Sequence, residues 1–271
     1  MEPTSIHKGV ALKSTIRRFI YRSLSFLNEQ VTYLAQPSVV LCYHSINEDG
    51  WFHTVTAADF RSQMGLLKQR GYHFVSLTEL IDHLRTGTVL PTPFCVITFD
   101  DGYKDVLQVQ DFIRAERIRP AFFILAEGEK VAREQLGTDR EFISDAEVLS
   151  LVEDGWDIGC HGARHERLIG RDGSTLQHEI IHAREILKKR LSLPIDFFAF
   201  PYGAYDHKAL SFVRRGGYQA ALSMDDSCNI TLGKVWKLPR IGINRTYSQE
   251  EFLSALSPLA ICFRRLIKLL V

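Results

Sequence analysis

The stretch FCVITFDDGY, residues 94–103, decides the fold of this chain. Its first part is an apolar run rich in β-branched and aromatic side chains, and the run ends in two aspartates. This pattern is typical of a buried strand whose carboxyl end opens into a polar loop. Four other runs have a similar form, namely SVVLCYHSI (38–46), PAFFILA (120–126), DIGCHG (157–162) and FFAFPYG (197–203).

Segments with helical periodicity lie between these strands. The segment FISDAEVLSLVEDGW, residues 142–156, opens with Ser144 and Glu147 in the spacing of a capping box. Regular alternation of short strands and helices predicts an α/β fold in which parallel strands are joined by right-handed crossovers. We expect three parts: a helical extension over residues 1–36, one barrel domain over residues 37–248 and a C-terminal amphipathic helix over residues 249–271.

The composition excludes several classes of protein. The 271 residues are 45% hydrophobic and 24% charged, and the formal net charge of +1 gives no sign of nucleic-acid binding. The five cysteines are odd in number and lack C-x-x-C spacing, which indicates a reducing compartment. We find no convincing signal peptide and no apolar run long enough to span a membrane. The sequence thus predicts a cytoplasmic protein, with the inner membrane face as a second location.

The two ends of the chain suggest that second location. LKSTIRRFIYRSLSFL (12–27) and ICFRRLIKLLV (261–271) mix arginine and lysine with large apolar residues. Such segments form amphipathic helices on anionic membranes, but ordinary docking helices with a basic outer face have the same pattern. The sequence leaves these two alternatives open.

Polar side chains gather where the predicted strands end. In parallel α/β folds the ligand lies at the carboxyl ends of the strands. The residues that follow or end the predicted strands are His44, Asp100, Asp101, His161, His165, Pro201 and Tyr202, and Arg240 lies within a last predicted strand, VWKLPRIGIN (235–244). Five separate strands therefore deliver these groups to one predicted rim.

Two histidine pairs with the same four-residue spacing compete as metal ligands. His178 and His182 form an H-E-x-x-H sequence, which is a metalloprotease signature. They lie opposite the apolar face of a predicted helix, however, and no third ligand of the protease pattern follows, so a solvated helix face explains them better. His161 and His165 instead follow a strand and a glycine-containing turn. Together with Asp100 or Asp101 they make two imidazoles and one carboxylate, which is a set that holds a divalent ion with open positions.

Three motifs, in this order, resemble the polysaccharide deacetylase family, which is the NodB-homology domain of carbohydrate esterases. They are VITFDDGY, DIGCHGARHERL and FFAFPYGAYD, and the segments LCYHSI and GYHFVSLTEL add to the similarity, which runs from about residue 38 to about residue 245. The resemblance implies a distorted, incomplete parallel (β/α) barrel of about seven strands. It also implies a catalytic metal, with Zn favoured over Co or Ni.

The resemblance assigns roles to individual residues. Asp100 corresponds to the general base, and the metal ligands correspond to Asp101, His161 and His165. Tyr202 corresponds to the residue whose backbone N–H stabilises the oxyanion, and Pro201 to the residue that shapes the sugar pocket.

This sequence departs from the family pattern at three places. Gly162 follows the first metal histidine, where Ser or Thr is usual. The arginine that pairs with the base is missing from the segment before Tyr202, and we expect Arg240 to replace it. The late histidine that acts as the acid is also absent, and we expect His44 to take its role. The weaker candidates for that acid are His53, His73 and His207.

These observations predict a metal-dependent hydrolase that removes an N-acetyl group from an amino sugar in a glycan or a lipid-linked saccharide. Two alternatives stay open at this point. One is a different C–N hydrolase on the same scaffold, such as a deformylase or a cyclic amide hydrolase. The other is a catalytically inactive sugar-binding protein. The sequence does not specify the sugar, the native metal or the oligomeric state.

Overall fold

The computed structural model describes residues 19–20, 22–24, 26–27, 36–131 and 136–270. The strands are β1 (Val39–Tyr43), β2 (Ser45–Ile46), β3 (Thr54–Val55), β4 (His73–Phe74), β5 (Phe94–Phe99), β6 (Ala121–Ile124), β7 (Asp157–Cys160), β8 (Phe197–Ala199), β9 (Ala220–Leu222) and β10 (Ile241–Gly242). The α-helices are α1 (Ala57–Gln69), α2 (Leu77–Thr86), α3 (Gln110–Ala115), α4 (Asp145–Glu153), α5 (Gly173–Leu176), α6 (Ala183–Leu191), α7 (His207–Arg215), α8 (Gln249–Ala255) and α9 (Pro258–Leu270).

Seven parallel strands form a curled sheet in the order β10-β1-β5-β6-β7-β8-β9, and β4 adds to β5. Every ladder of this sheet is parallel, as the alternation of strands and helices predicted. The backbone of Leu238 forms hydrogen bonds with β9, and Ile241 pairs with β1. The short segment 238–241 therefore connects the β9 end of the sheet with its β1 end. The predicted incomplete parallel (β/α) barrel of about seven strands is confirmed.

Local capping signals explain where several helices begin. The predicted capping box at Ser144 and Glu147 is present at the start of α4, and Ser76 with Glu79 forms another at the start of α2. Each serine oxygen accepts a backbone N–H that has no partner inside the helix. Gly87 ends α2 in the left-handed conformation, φ 77°, which glycine adopts without steric cost.

The C-terminal segment is two helices rather than the single helix that the sequence predicted. Pro258 has no N–H to continue α8 and disfavours helical geometry at Ser257, so α9 begins there as a new helix. Phe252 of α8 is fully buried in the main core, so this segment also supports the barrel. Of the predicted N-terminal extension, residues 19–20, 22–24 and 26–27 are helical, and the remainder of residues 1–35 lies outside the described residues. Within the described chain, no helix has the length and apolar character needed to cross a bilayer.

Candidate active site

The strand ends place six of the predicted residues around one cavity. Strand register sets His44 level with Asp100, because Tyr43 pairs with Phe99 immediately before them. A cavity of about 550 Å³ is lined by His44, Asp100, Asp101, His161, His165 and Tyr202, among others. The prediction that separate strands deliver these groups to one rim is confirmed for these six residues, whereas Pro201 and Arg240 do not line the cavity.

The backbone is unusual at three of these positions. Asp101, His165 and Tyr202 have φ values of 72°, 59° and 58°, in the left-handed region that residues with a side chain rarely occupy. Each such residue costs of order 1–3 kcal/mol, and strain of this kind persists where the surrounding structure fixes the backbone. Six described non-glycine residues have positive φ, and four of them line this cavity, namely these three and Asp226, which supports a functional role for the cavity.

Asp101, His161 and His165 form a compact, buried group of possible ligands. The Oδ1 atom of Asp101 lies 3.3 Å from Nε2 of His161 and 3.4 Å from Nε2 of His165. One ligand atom from each residue lies within 4.8 Å of those of the other two. Oδ1 of Asp101 is buried and accepts no hydrogen bond of good geometry from the described residues. A buried carboxylate oxygen in this position is satisfied by a cation, so the three residues fit a divalent ion.

The ionised form of Asp101, the neutral form of His165 and the orientation of His161 suit these groups as ligands. Burial would raise the pKa of Asp101, but the close imidazoles of His161 and His165 hold that pKa far below its usual range. Burial lowers the pKa of His165 to about 4, so this imidazole is neutral above that pH. The Nδ1 atom of His161 lies 2.9 Å from the carbonyl oxygen of Ala199. Because a carbonyl only accepts, Nδ1 carries a proton, and Nε2 is the nitrogen that faces Asp101 and would bind a metal ion.

Asp100 is the partner of Arg240, as the sequence suggested. Their two nitrogen–oxygen contacts are both 2.7 Å, in a bidentate pair, and the guanidinium is fully buried. Burial would raise the pKa of Asp100, but the charge of Arg240 and then that of His161 keep it below its usual value. The carboxylate is therefore ionised at neutral pH and able to accept a proton.

A second cluster, formed by Cys42, His44 and Asp100, also has metal-ligand spacing. Both oxygens of Asp100 are already committed to Arg240. Burial raises the pKa of the Cys42 thiol well above its usual range, so the sulfur stays protonated. A protonated thiol is not a metal ligand, so the Asp101 group suits an ion better.

His44 is half-buried on the cavity wall, and its Nδ1 atom is buried without a hydrogen-bond partner among the described residues. His53 also lines this cavity, 4.9 Å from His44 between ring centroids. Burial, followed by the charge of His44, lowers the pKa of His53 to about 4, which makes His53 a poor proton donor near neutral pH. His73 pairs with Phe94, at the amino end of β5 and away from Asp100, and His207 does not line the cavity.

Tyr202 and Pro201 have different environments. The Tyr202 side chain is 47% exposed, its ring lies 4.5 Å from that of His165, and it lines the cavity. Pro201 is buried and does not line the cavity. Its ring lies next to Gly162, where an added Cβ would be 3.5 Å from the proline Cγ. The structure thus places Pro201 behind the histidine loop rather than in the cavity.

Glu179, the glutamate of H-E-x-x-H, is a further residue of the site that the sequence motifs did not point to. It is 1% exposed and accepts hydrogen bonds from the backbone N–H groups of Ala163 and Arg164, at 3.0 and 3.1 Å. These amides lie in the loop between His161 and His165. A Cβ at Gly162, φ 91°, would come within 2.9 Å of the Glu179 carboxylate. The glycine makes room for the carboxylate, which holds the loop where a serine or threonine hydroxyl is usual.

Of the histidines beside Glu179, His178 is half-buried and His182 is exposed, and both lie in a π-helical turn, Gln177–His182. His178 contacts Glu127 at 3.0 Å, and neither His178 nor His182 belongs to a possible metal cluster of the described residues. The helical spacing gave a signal for Glu179. It lies three residues after Leu176 and four before Ala183, which are both buried on the inner face.

Comparison with known proteins gives a consistent result. The polysaccharide deacetylase family model matches residues 89–221. YxkH of Bacillus subtilis (strain 168), provisionally named a polysaccharide deacetylase, is 21% identical over 79% of this chain and 74% of its own length. The poly-beta-1,6-N-acetyl-D-glucosamine N-deacetylase of Escherichia coli (strain K12) is 33% identical over 24% of this chain, but the match spans 10% of that protein. The Streptococcus pyogenes deacetylase PplD, solved in complex with acetate, has a similar fold, with a TM-score of 0.69 at 19% identity over 83% of this chain and 100% of that one.

Proposed function

This chain belongs, through residues 89–221, to the polysaccharide deacetylase family, and we propose that it is a metal-dependent hydrolase that removes an N-acetyl group from an amino sugar. The substrate would be part of a glycan or a lipid-linked saccharide. One observation carries this proposal. The group Asp101, His161 and His165 lies in the same cavity as Asp100, whose charge is fixed by Arg240.

The proposed reaction adds water to the acetyl carbonyl and breaks the C–N bond, giving acetate and a free amine. A divalent ion held by Asp101, His161 and His165 would supply Lewis-acid activation of the acyl oxygen and of water. Zn suits two imidazoles and one carboxylate with an open position, and Co or Ni would also fit.

Side chains and backbone of the protein itself accept and donate the protons and hydrogen bonds of the reaction. Asp100 accepts the proton of the attacking water, because its carboxylate is ionised and the ion pair with Arg240 holds it in one orientation. The backbone N–H of Tyr202 donates to the developing oxyanion. His44 donates a proton to the leaving nitrogen, since an amine anion cannot leave. The buried position of the Nδ1 atom of His44 beside the cavity supports this assignment.

Aromatic side chains at the cavity favour a saccharide as substrate. Trp51 and Phe52 line the same cavity as Tyr202, and Phe52 is 52% exposed. Apolar rings at a wet rim suit a sugar, which offers C–H faces to rings and hydroxyls to water. A catalytically inactive sugar-binding protein would not need the buried Asp100–Arg240 pair or the strained Asp101 backbone.

An acyl-release assay tests the proposal. The purified chain is loaded with Zn, Co or Ni and incubated with a panel of N-acetylated and N-formylated amino-sugar oligosaccharides, while acetate, formate and free amine are measured. We expect acetate and amine in equal amounts, with Asp100→Asn as the inactive control. Formate alone would indicate the deformylase alternative. Sugar binding with no product from any metal form would indicate the inactive protein.

A further inference from the structure

The two ends of the described chain meet in one helix pair. Ile20 and Leu24 of the N-terminal helical residues pack with Phe263 of α9 around Ala255 and Ala260. Small residues at the centre let the helices approach closely. We call the described helical residues between 19 and 27, together with α9, the terminal helix pair. Residues more than two hundred positions apart therefore contribute to one surface.

Large apolar side chains point outward from the terminal helix pair. Phe19 is 74% exposed, Phe26 62% and Leu266 57%. Phe19 and Phe26 are seven residues apart and share a helix face with Arg22, which lies between them at the third position. Single exposed apolar residues are ordinary, but several of them on one small element indicate a surface with a partner.

The charge of the two ends differs from that of the rest of the chain. Residues 3–28 contain five lysines and arginines, residues 258–271 contain three, and neither segment contains an aspartate or glutamate. Because the whole chain has a net charge of +1, the eight basic residues leave the remainder with a net charge of −7. In the described part, Arg22 and Arg265 are both exposed beside the apolar residues. Apolar residues flanked by basic ones match the acyl chains and anionic headgroups of a bilayer.

The terminal helix pair is continuous with the cavity wall. Arg264 of α9 lines the cavity, and its Nε atom lies 3.3 Å from Oδ1 of Asp226, which lines it too. Tyr247 lines the cavity and also packs against the terminal helix pair. A partner that binds the outer side of α9 would therefore lie next to the cavity mouth.

We propose that the terminal helix pair docks on an anionic lipid bilayer and thereby brings the cavity to saccharides held at the membrane surface. The second part of this inference rests on the proposed deacetylase function, but the docking itself does not. Of the two alternatives that the sequence left open for the chain ends, this proposal favours amphipathic helices on an anionic membrane over ordinary docking helices with a basic outer face. The occupant of the exposed face is the bilayer, not another copy of the chain.

Vesicle flotation with the full chain tests the docking. We expect flotation with vesicles of phosphatidylcholine and phosphatidylglycerol, little with phosphatidylcholine alone, and weaker binding at high salt. Phe19→Ser/Phe26→Ser should weaken binding by at least about ten-fold, because two exposed aromatic rings no longer enter the bilayer. Arg22→Gln/Arg265→Gln should weaken it by roughly five-fold for each charge removed. The matched control is Leu232→Ser, which removes a residue that is 52% exposed on a separate segment, and it should bind like wild type.

Two results would overturn the docking. One is recovery of the wild-type chain in the soluble fraction with anionic vesicles at low salt. The other is self-association without lipid that Phe19→Ser/Phe26→Ser abolishes, which would assign the face to a second copy. Acetate release from soluble oligosaccharides should be unchanged in the phenylalanine variant. A wild-type chain that floats with vesicles but releases no acetate would contradict the proposed function and leave the docking standing.

Discussion

Replacing Arg240 with methionine tests how much the Asp100–Arg240 ion pair stabilises the site. Besides its two contacts with Asp100, Arg240 donates to Thr98 Oγ1 at 3.1 Å and to the carbonyl oxygen of Ser223 at 3.3 Å. Methionine fills part of the same space but carries no charge, so the carboxylate of Asp100 stays buried without compensation. Removing one partner of a buried pair lowers the free energy of unfolding by about 3–5 kcal/mol. That is a large share of the roughly 5–15 kcal/mol that stabilises a typical domain.

Urea unfolding in the presence of a chelator measures this loss. Arg171→Met is the matched control, because Arg171 pairs with Glu166 at 2.7 Å but both side chains are well exposed, at 46% and 37%. We expect the control to lose less than about 1 kcal/mol. Asp100→Asn/Arg240→Met should be about 2–3 kcal/mol more stable than the sum of the single variants predicts, because it removes the uncompensated charge. A loss below about 1 kcal/mol in Arg240→Met, or strict additivity, would refute this account of the pair.

The pH dependence of the loss gives a second test. In the wild type the pKa of Asp100 is lowered, so its stabilising contribution is present above the unfolded value of about 3.9 and is lost as the pH falls through the folded pKa. In Arg240→Met the burial of Asp100 is no longer opposed by that charge, so its pKa rises. Protonation then relieves the penalty, and the stability deficit should narrow as the pH falls from about 8 to about 5. A deficit that widens over this range would contradict the sign of the effect.

Three further predictions concern individual residues of the site. His161→Ala should lose bound metal and activity together in metal analysis, whereas His178→Ala should retain both; the reverse result would overturn the choice of histidine pair. His44→Ala should slow amide cleavage by roughly 10²–10⁴ with metal retained, and should spare an activated ester, whose leaving group needs no proton; equal losses on both substrates would remove His44 from the acid role. Glu179→Gln should weaken metal binding by about 10–100-fold with the fold intact by circular dichroism, while the exposed Glu185→Gln on the following helix should bind metal normally; matching affinities in the two variants would make Glu179 a residue of the core only.

Local patterns in the sequence were sufficient for the fold. The apolar runs before Asp100 and His161 marked buried strands, and the Ser144–Glu147 pair marked a helix start, because each signal lies within a few residues. Parallel strands bring their carboxyl ends to one rim whatever the lengths of the crossovers. The position of the cavity therefore followed from strand identity alone.

Side-chain contacts between residues that are far apart in the sequence could not be predicted from such local patterns. Arg140 donates to Ser45 at 2.7 Å and to Asp105 at 3.0 Å, across 95 and 35 positions, and its guanidinium lies 4.6 Å above the Trp51 ring. It fixes the loop that carries Trp51 at the cavity, yet nothing near Arg140 in the sequence indicates this. Glu179 was not predicted, because its place in H-E-x-x-H assigns it to a polar helix face, whereas its side chain is buried on the inner face. The division of residues 249–270 into two helices depends on Pro258, because a proline cannot continue the preceding helix although the apolar pattern runs on through it.

Acetate release from an N-acetylated amino-sugar oligosaccharide, followed side by side for the wild type and Asp100→Asn in the same metal-loaded state, tests the central claim most directly. The variant keeps the shape of the side chain but removes its ability to accept a proton. We predict stoichiometric acetate and free amine from the wild type, and a rate lower by roughly 10²–10⁴ in the variant with its metal retained. Equal rates in the two proteins, or loss of the metal from Asp100→Asn but not from Asp101→Asn, would contradict the assignment of Asp100 as the base and Asp101 as the metal ligand.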